Sequence, residues 1–563
     1  MSRPSSQEVS RREFLAAAGA VAVGAGTLSQ KGRADRIPVS EPPRAVAPRP
    51  EAFELEELGI ADLQKGMSEG RWSAADLVAL YTIRVRDLDR SGPTLRHVLE
   101  LNPDAAQIAE GLDRERKEGK LRGPLHGIPV VLKDNVDTGD RMSTSAGSLA
   151  LEGSRAPKDA ALAARLREAG AILLAKTSMS EWANFRSSHS SSGWCSRGGQ
   201  GKNPYALDRT PCGSSSGTGG AIASSYAAAG IGTETDGSIT CPASISCLVG
   251  LKPTVGLVSR TGIIPISHTQ DTAGPMTRTV ADAAALLSAI AGPDPADAAT
   301  AGIPKGNVDY LKALNPDALQ GVRLGVTRKH FTGYHDGTDR IFAEALDVLR
   351  QLGAVIVDPT DLPHTGEYDD AEFQVLLYEF KADLNAYFAA RGPTSPMKSL
   401  KDVIAFNERE KARVMPFFGQ ETMLLAEAKG PLTEKAYLAA LAKCRLLTRT
   451  QGIDAVMTKY KLDALVAPTG NPAWPIDLVN GDHFTGSVTT PAAVAGYPHI
   501  TVPAGFEHGL PVGLSFFGRA WSEARLLGFA YAYEQATKHR RAPAFAPSID
   551  MGPGLEGSVG GGR

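Results

Sequence analysis

The chain has 563 residues, 42% of them hydrophobic, with 59 glycines and a formal net charge of −2. This is an ordinary globular enzyme composition, and so small a net charge gives no electrostatic case for a nucleic-acid partner. The length exceeds the usual single core, yet no low-complexity linker divides the chain after about residue 50, so one large domain with an insertion fits best.

In chain order, Ser10-Arg11-Arg12-Glu13-Phe14-Leu15 precedes a weakly apolar stretch to Leu28 that is too short for a stable membrane anchor. The pattern predicts a twin-arginine export signal over residues 1–34, cleaved near Gly32-Arg33-Ala34, and a periplasmic or secreted protein that meets the twin-arginine machinery. A Pro-rich leader (35–54) follows. The main domain is expected over 55–545 and a Gly-rich tail over 546–563. Ser73 is the expected cap of a helix reaching Ile83. Ile128-Pro129-Val130-Val131-Leu132 reads as a buried strand ending at Lys133. A helix over Asp159 to Ala169 and a strand over Gly170 to Ala175 come next. The stretch Pro211 to Gly220 is expected to open a small-residue helix through Ala229, after which Ile231-Gly232 leads into the turn Thr233-Glu234-Thr235-Asp236-Gly237-Ser238. Residues 301–449 read as mainly helical, as in Arg340 to Leu352 and Glu434 to Leu447, and are expected to form a cap insertion. Alternating short strands and helices predict an α/β sandwich with a central mixed sheet.

Three separated segments carry the chemistry. A serine hydroxyl attacks a carboxamide only if a base takes its proton, and a lysine is such a base only while neutral. Burial at the end of an apolar strand would lower the pKa of Lys133 for that role. Ser238 follows Gly237, which lets the backbone approach closely, so the N–H groups of Thr235, Asp236, Gly237 and Ser238 are a candidate oxyanion hole. The Gly- and Ser-rich loop can bring Ser214 between the other two groups, and a hydroxyl both donates and accepts.

At these residues the chain resembles the amidase signature family, from about Leu55 to about Tyr533 and most densely between Gly123 and Met276. The likeness returns at Leu462 to Thr469 and at Gly496 to Pro503. The resemblance implies that Ser238 is the nucleophile, Ser214 the bridging serine after a cis peptide bond, and Lys133 the base. It implies an amidase-signature α/β/α fold, no cofactor, no metal, and release of ammonia from a carboxamide. Cys212, Ser216 and Asp236 stand where many members have glycine. The run from Gly232 to Met276 looks most like the peptide amidase branch, whose members remove the terminal amide of peptides. An apolar wall from Ile263 to Ile266 beside a helical cap suits a neutral, partly apolar acyl chain, hence a small-molecule or short-peptide amide.

Other readings compete. Gly213-Ser214-Ser215-Ser216-Gly217 satisfies a nucleophile-elbow pattern that would make Ser215 the nucleophile, but the preceding segment is polar and broken by proline rather than a buried strand. The histidines show no metal-type spacing, and Gly201-Lys202-Asn203 lacks the remainder of a phosphate loop. Five cysteines leave at least one unpaired; most read as small buried hydrophobes, with a Cys195–Cys212 bridge as an alternative. The functional alternatives are a general aliphatic or aryl amide hydrolase, the glutaminase subunit of a tRNA-dependent amidotransferase, and a catalytically silent binding protein.

Overall fold

The computed structural model describes residues 53–306, 309–393 and 395–549. The expected export signal, nearly all of the leader and most of the tail lie outside the described residues.

Thirteen strands are described in chain order. They are β1 (Val98–Leu101), β2 (Pro129–Lys133), β3 (Ile172–Thr177), β4 (Trp194–Cys195), β5 (Gly199–Gln200), β6 (Ala229–Glu234), β7 (Val249–Lys252), β8 (Thr272–Thr277), β9 (Arg323–Val326), β10 (Val355–Val357), β11 (Ala464–Pro468), β12 (His499–Glu507) and β13 (Leu510–Phe517). Eleven of them form one mixed sheet in the order β1-β3-β2-β6-β8-β7-β12-β13-β11-β9-β10, and β4 pairs with β5 in a small hairpin. The expected α/β sandwich is the one that forms. Within the sheet, β3, β2 and β6 are mutually parallel, with Lys133 opposite Thr177 and Leu132 opposite Ile231. Parallel neighbours end at the same edge, so the residues after β2 and after β6 emerge side by side.

The parallel strands are covered on both faces, and their sequences show it: every residue of β2, β3 and β6 is buried. Helices pack against them, one with a full capping box. In the helix Ala74–Val85, the Ser73 hydroxyl accepts from the Asp76 N–H at 3.1 Å while the Asp76 carboxylate accepts from the Ser73 N–H at 2.8 Å.

Three sequence expectations are corrected. The small-residue helix spans only Ser216–Ala223, and Ala229 begins β6. Its glycines serve close packing: a Cβ on Gly220 would stand 1.9 Å from the His97 ring, and one on Gly217 2.3 Å from the Ser178 carbonyl. Residues 301–449 are mainly helical but are not all cap, because β9 and β10 extend the sheet edge and the helix Asp336–Gln351 buries Ile341, Phe342 and Leu346 in the main core. The helical cover is confined to 369–445; the long helix Asp369–Arg391 packs Leu377, Phe380 and Phe388 against Trp182, Ile264 and Ile266. Finally, Cys212 is bridged to Cys241, and Cys195 is a buried free thiol. Cys212 precedes the Ser214 loop and Cys241 follows the Ser238 turn, so the fold brings together two cysteines 29 residues apart. Cys195 Sγ instead contacts Ser178 Oγ and accepts from the Gly198 N–H.

Candidate active site

Lys133 ends β2 fully buried, and its Nζ lies 2.8 Å from Ser214 Oγ, 2.9 Å from Thr233 Oγ1 and 3.1 Å from the Thr233 carbonyl oxygen. Burial pushes its pKa down to about 7, against the opposing pull of the Asp271 and Glu234 carboxylates. Asn135, two residues on, donates to Thr233 Oγ1 at 3.0 Å and so orients that hydroxyl. Ser214 follows a cis peptide bond from Gly213 and is itself fully buried.

Ser238 sits in the turn that follows β6. Among the described residues its hydroxyl has no hydrogen-bond partner, and no direct bond joins it to Ser214. The two segments are tied through their neighbours: the Ser215 N–H donates to the Ser238 carbonyl at 3.1 Å, and the Cys212–Cys241 bridge spans them. Gly237 has φ +78°, a conformation that other residues rarely adopt. The turn divides its amides. Those of Ile239 and Thr240 donate to the buried Glu234 carboxylate at 2.8 and 2.9 Å. Among the described residues, the N–H groups of Asp236, Gly237 and Ser238 have no protein acceptor. This arrangement can present donors to a developing negative charge beside a hydroxyl nucleophile.

Ser215, the competing nucleophile, is fully buried. Its hydroxyl donates to the Thr233 carbonyl at 3.0 Å and accepts from the Thr233 N–H at 3.2 Å. It braces the loop against β6 and is not free to attack.

A cavity of about 380 Å³ opens beside Ser214. Ser214, Thr233, Thr235 and Asn135 line one end, Ile263 to Ile266 one wall, and Tyr387 and Asp383 of the long covering helix another; Ser238 is outside the lining. The expected apolar wall is therefore part of the cavity, but its rim is charged. Arg260 is paired with Asp297 there, and His268 Nδ1 lies 2.9 Å from Asp383. Asp271 accepts from Thr235 Oγ1 at 2.6 Å, and burial pushes its pKa up to about 6. Among the described residues, His268, Glu379 and Asp383 could surround an ion. Their polar atoms are already engaged: Glu379 accepts from Thr269 Oγ1 at 3.0 Å and from the Tyr437 hydroxyl at 2.7 Å.

Sequence reasoning missed Thr233, Asn135 and Glu234 as members of this network. Their signal was nearness in sequence: Asn135 sits in the turn that follows Lys133, and Thr233 and Glu234 close β6 just before the Ser238 turn.

A family model described as Amidase matches residues 84–527. The crystal structure of native peptide amidase from Stenotrophomonas maltophilia is 52% identical with a TM-score of 0.84, covering 88% of this chain and 100% of that one. A probable amidase of Arabidopsis thaliana is 42% identical over 506 residues, 88% of this chain and 92% of the relative. A glutamyl-tRNA(Gln) amidotransferase subunit from Chloroflexus aurantiacus is 36% identical over 508 residues, 87% of this chain and 99% of the relative.

Proposed function

This chain belongs to the amidase family, hydrolases of carbon–nitrogen bonds other than peptide bonds, and we propose that it converts the C-terminal amide of peptides or amino-acid amides to the acid and ammonia. The observation that carries the mechanism is the buried Lys133 amine within hydrogen-bond reach of Ser214. In the neutral amine two N–H groups serve the Thr233 carbonyl and hydroxyl, and the lone pair faces Ser214. Ser238 Oγ attacks the amide carbon while its proton passes to Ser214 Oγ and that of Ser214 to Lys133 Nζ. The turn from Thr235 to Ser238 holds the oxyanion. Return of the proton expels ammonia, and water then cleaves the acyl-enzyme by the same relay.

Attack on this path requires the Ser238 hydroxyl to turn toward Ser214. The substrate class rests on the likeness to peptide amidase and on the apolar wall of the cavity. Export through the twin-arginine route remains part of the reading and is carried by Arg11 and Arg12. The test is ammonia release by the purified chain alone from a panel containing an N-blocked amino-acid amide, an amidated dipeptide, a short aliphatic amide and glutamine. Release from the first two supports the reading. Release from glutamine alone would move it to the amidotransferase branch.

A further inference from the structure

The Ser238 turn is anchored at a point that the relay does not use. Asp236 projects toward the helix Thr489–Ala495, where Thr489 Oγ1 donates to one carboxylate oxygen at 2.6 Å and Thr490 Oγ1 to the other at 2.7 Å. These partners are 253 and 254 residues away along the chain. A Cβ on the adjoining Gly237 would lie 3.2 Å from Thr489 Oγ1, so the helix presses directly on the turn. Glu234 holds the amides of Ile239 and Thr240 just beyond. The turn thus held carries the Asp236, Gly237 and Ser238 amides, which have no protein acceptor among the described residues.

We propose that Asp236 is a positioning residue: gripped by Thr489 and Thr490, it fixes the turn so that the N–H groups of Asp236, Gly237 and Ser238 are aimed before the oxyanion forms. The proposal rests on the amidase reading of the site and adds to it the group that holds the oxyanion donors in place. Charge-assisted hydrogen bonds to both carboxylate oxygens fix the carboxylate in direction as well as distance, which one neutral contact would not. Preorganised donors stabilise a transition state only if they need not reorient during reaction. Errors near 1 Å in such geometry can cost on the order of 10²-fold in rate.

The test compares Asp236→Ala, the pair Thr489→Val with Thr490→Val, their combination, and Asp236→Asn. Each is checked for a wild-type thermal transition, then measured for kcat and KM on an N-blocked amino-acid amide and for the rate of Ser238 labelling by a fluorophosphonate. The expected result is a loss of about 10- to 100-fold in kcat for Asp236→Ala and for the threonine pair, with KM nearly constant. Labelling slows by the same factor, because that reaction also develops an anionic oxygen. The combined variant is no slower than Asp236→Ala, since both remove one device, and Asp236→Asn, which keeps a carbonyl acceptor, recovers part of the rate. Multiplying losses, a rise in KM at unchanged kcat, or wild-type rates throughout would overturn the proposal. Wild-type protein that labels but releases no ammonia would instead sink the amidase reading, and the labelling rates would still judge the clamp.

Discussion

If Lys133 is the base, activity follows the population of its neutral amine. Its pKa stands near 7 against 10.5 for an ordinary lysine. At pH 7 about half the molecules then carry a neutral amine, whereas an unshifted lysine would be neutral in roughly one molecule in 3,000. Below the pKa the competent fraction falls about tenfold per pH unit. The expected profile of kcat/KM is an acid limb of unit slope with a midpoint near 7 and a plateau above it. Asp271 supplies the control, because its own pKa lies near 6 and its carboxylate raises that of Lys133. Asp271→Asn removes that support, so the limb should move to lower pH and keep its slope. Lys133→Met should abolish turnover yet stabilise the fold at neutral pH. The sign follows from linkage: a lysine depressed in the folded state binds fewer protons there than in the unfolded chain, so it costs stability below pH 10.5, most fully below about 7. With a pKa near 7 in place of 10.5, that cost is at most about 4 kcal/mol at pH 7. The assays are initial rates of ammonia release from pH 5 to 9 and thermal unfolding at pH 7. A limb that vanishes in Asp271→Asn, or a profile flat across pH 7, would refute Lys133 as the base.

Ser238→Ala should abolish fluorophosphonate labelling and lower turnover by several orders of magnitude, while Ser215→Ala should retain most activity; active-site labelling read by mass spectrometry checks both. The reverse pattern would restore the elbow reading. Reducing the Cys212–Cys241 bridge, or replacing both cysteines by alanine, should lower stability by about 3–4 kcal/mol for a closed loop of 29 residues. Denaturant titration measures it, and an unchanged midpoint would contradict it. Arg11→Lys with Arg12→Lys should hold the precursor in the cytoplasm, which fractionation and blotting would detect; normal export would exclude the twin-arginine route.

The segments that meet at the candidate site were legible because each carries its own local chemistry. An apolar run ending in lysine specifies a buried strand with a polar terminus, and Gly237 before Ser238 marks a tight turn. Their juxtaposition was less legible: the contact between Lys133 and Ser214 depends on β2 and β6 running parallel, a long-range property. The same holds for the disulfide, since the spacing to Cys195 or to Cys241 does not say which thiol the Ser238 turn carries toward Cys212. The helix through Ala229 was overextended because its small residues read as a continuous helix former. Tertiary packing decides its end, with Ser225 at φ +57° turning the chain into β6. The strands β9 and β10 were hidden for a different reason: at four and three residues, they are too short to show a period beside helices of 16 and 23 residues.

The most direct test of the central claim is mass spectrometry of a C-terminally amidated peptide after incubation with the purified chain. The account predicts a gain of roughly one mass unit located at the C-terminus, as an amide becomes an acid, with every internal peptide bond intact because the leaving group must be small. Internal fragments, or an unaltered peptide alongside hydrolysis of short aliphatic amides, would contradict it.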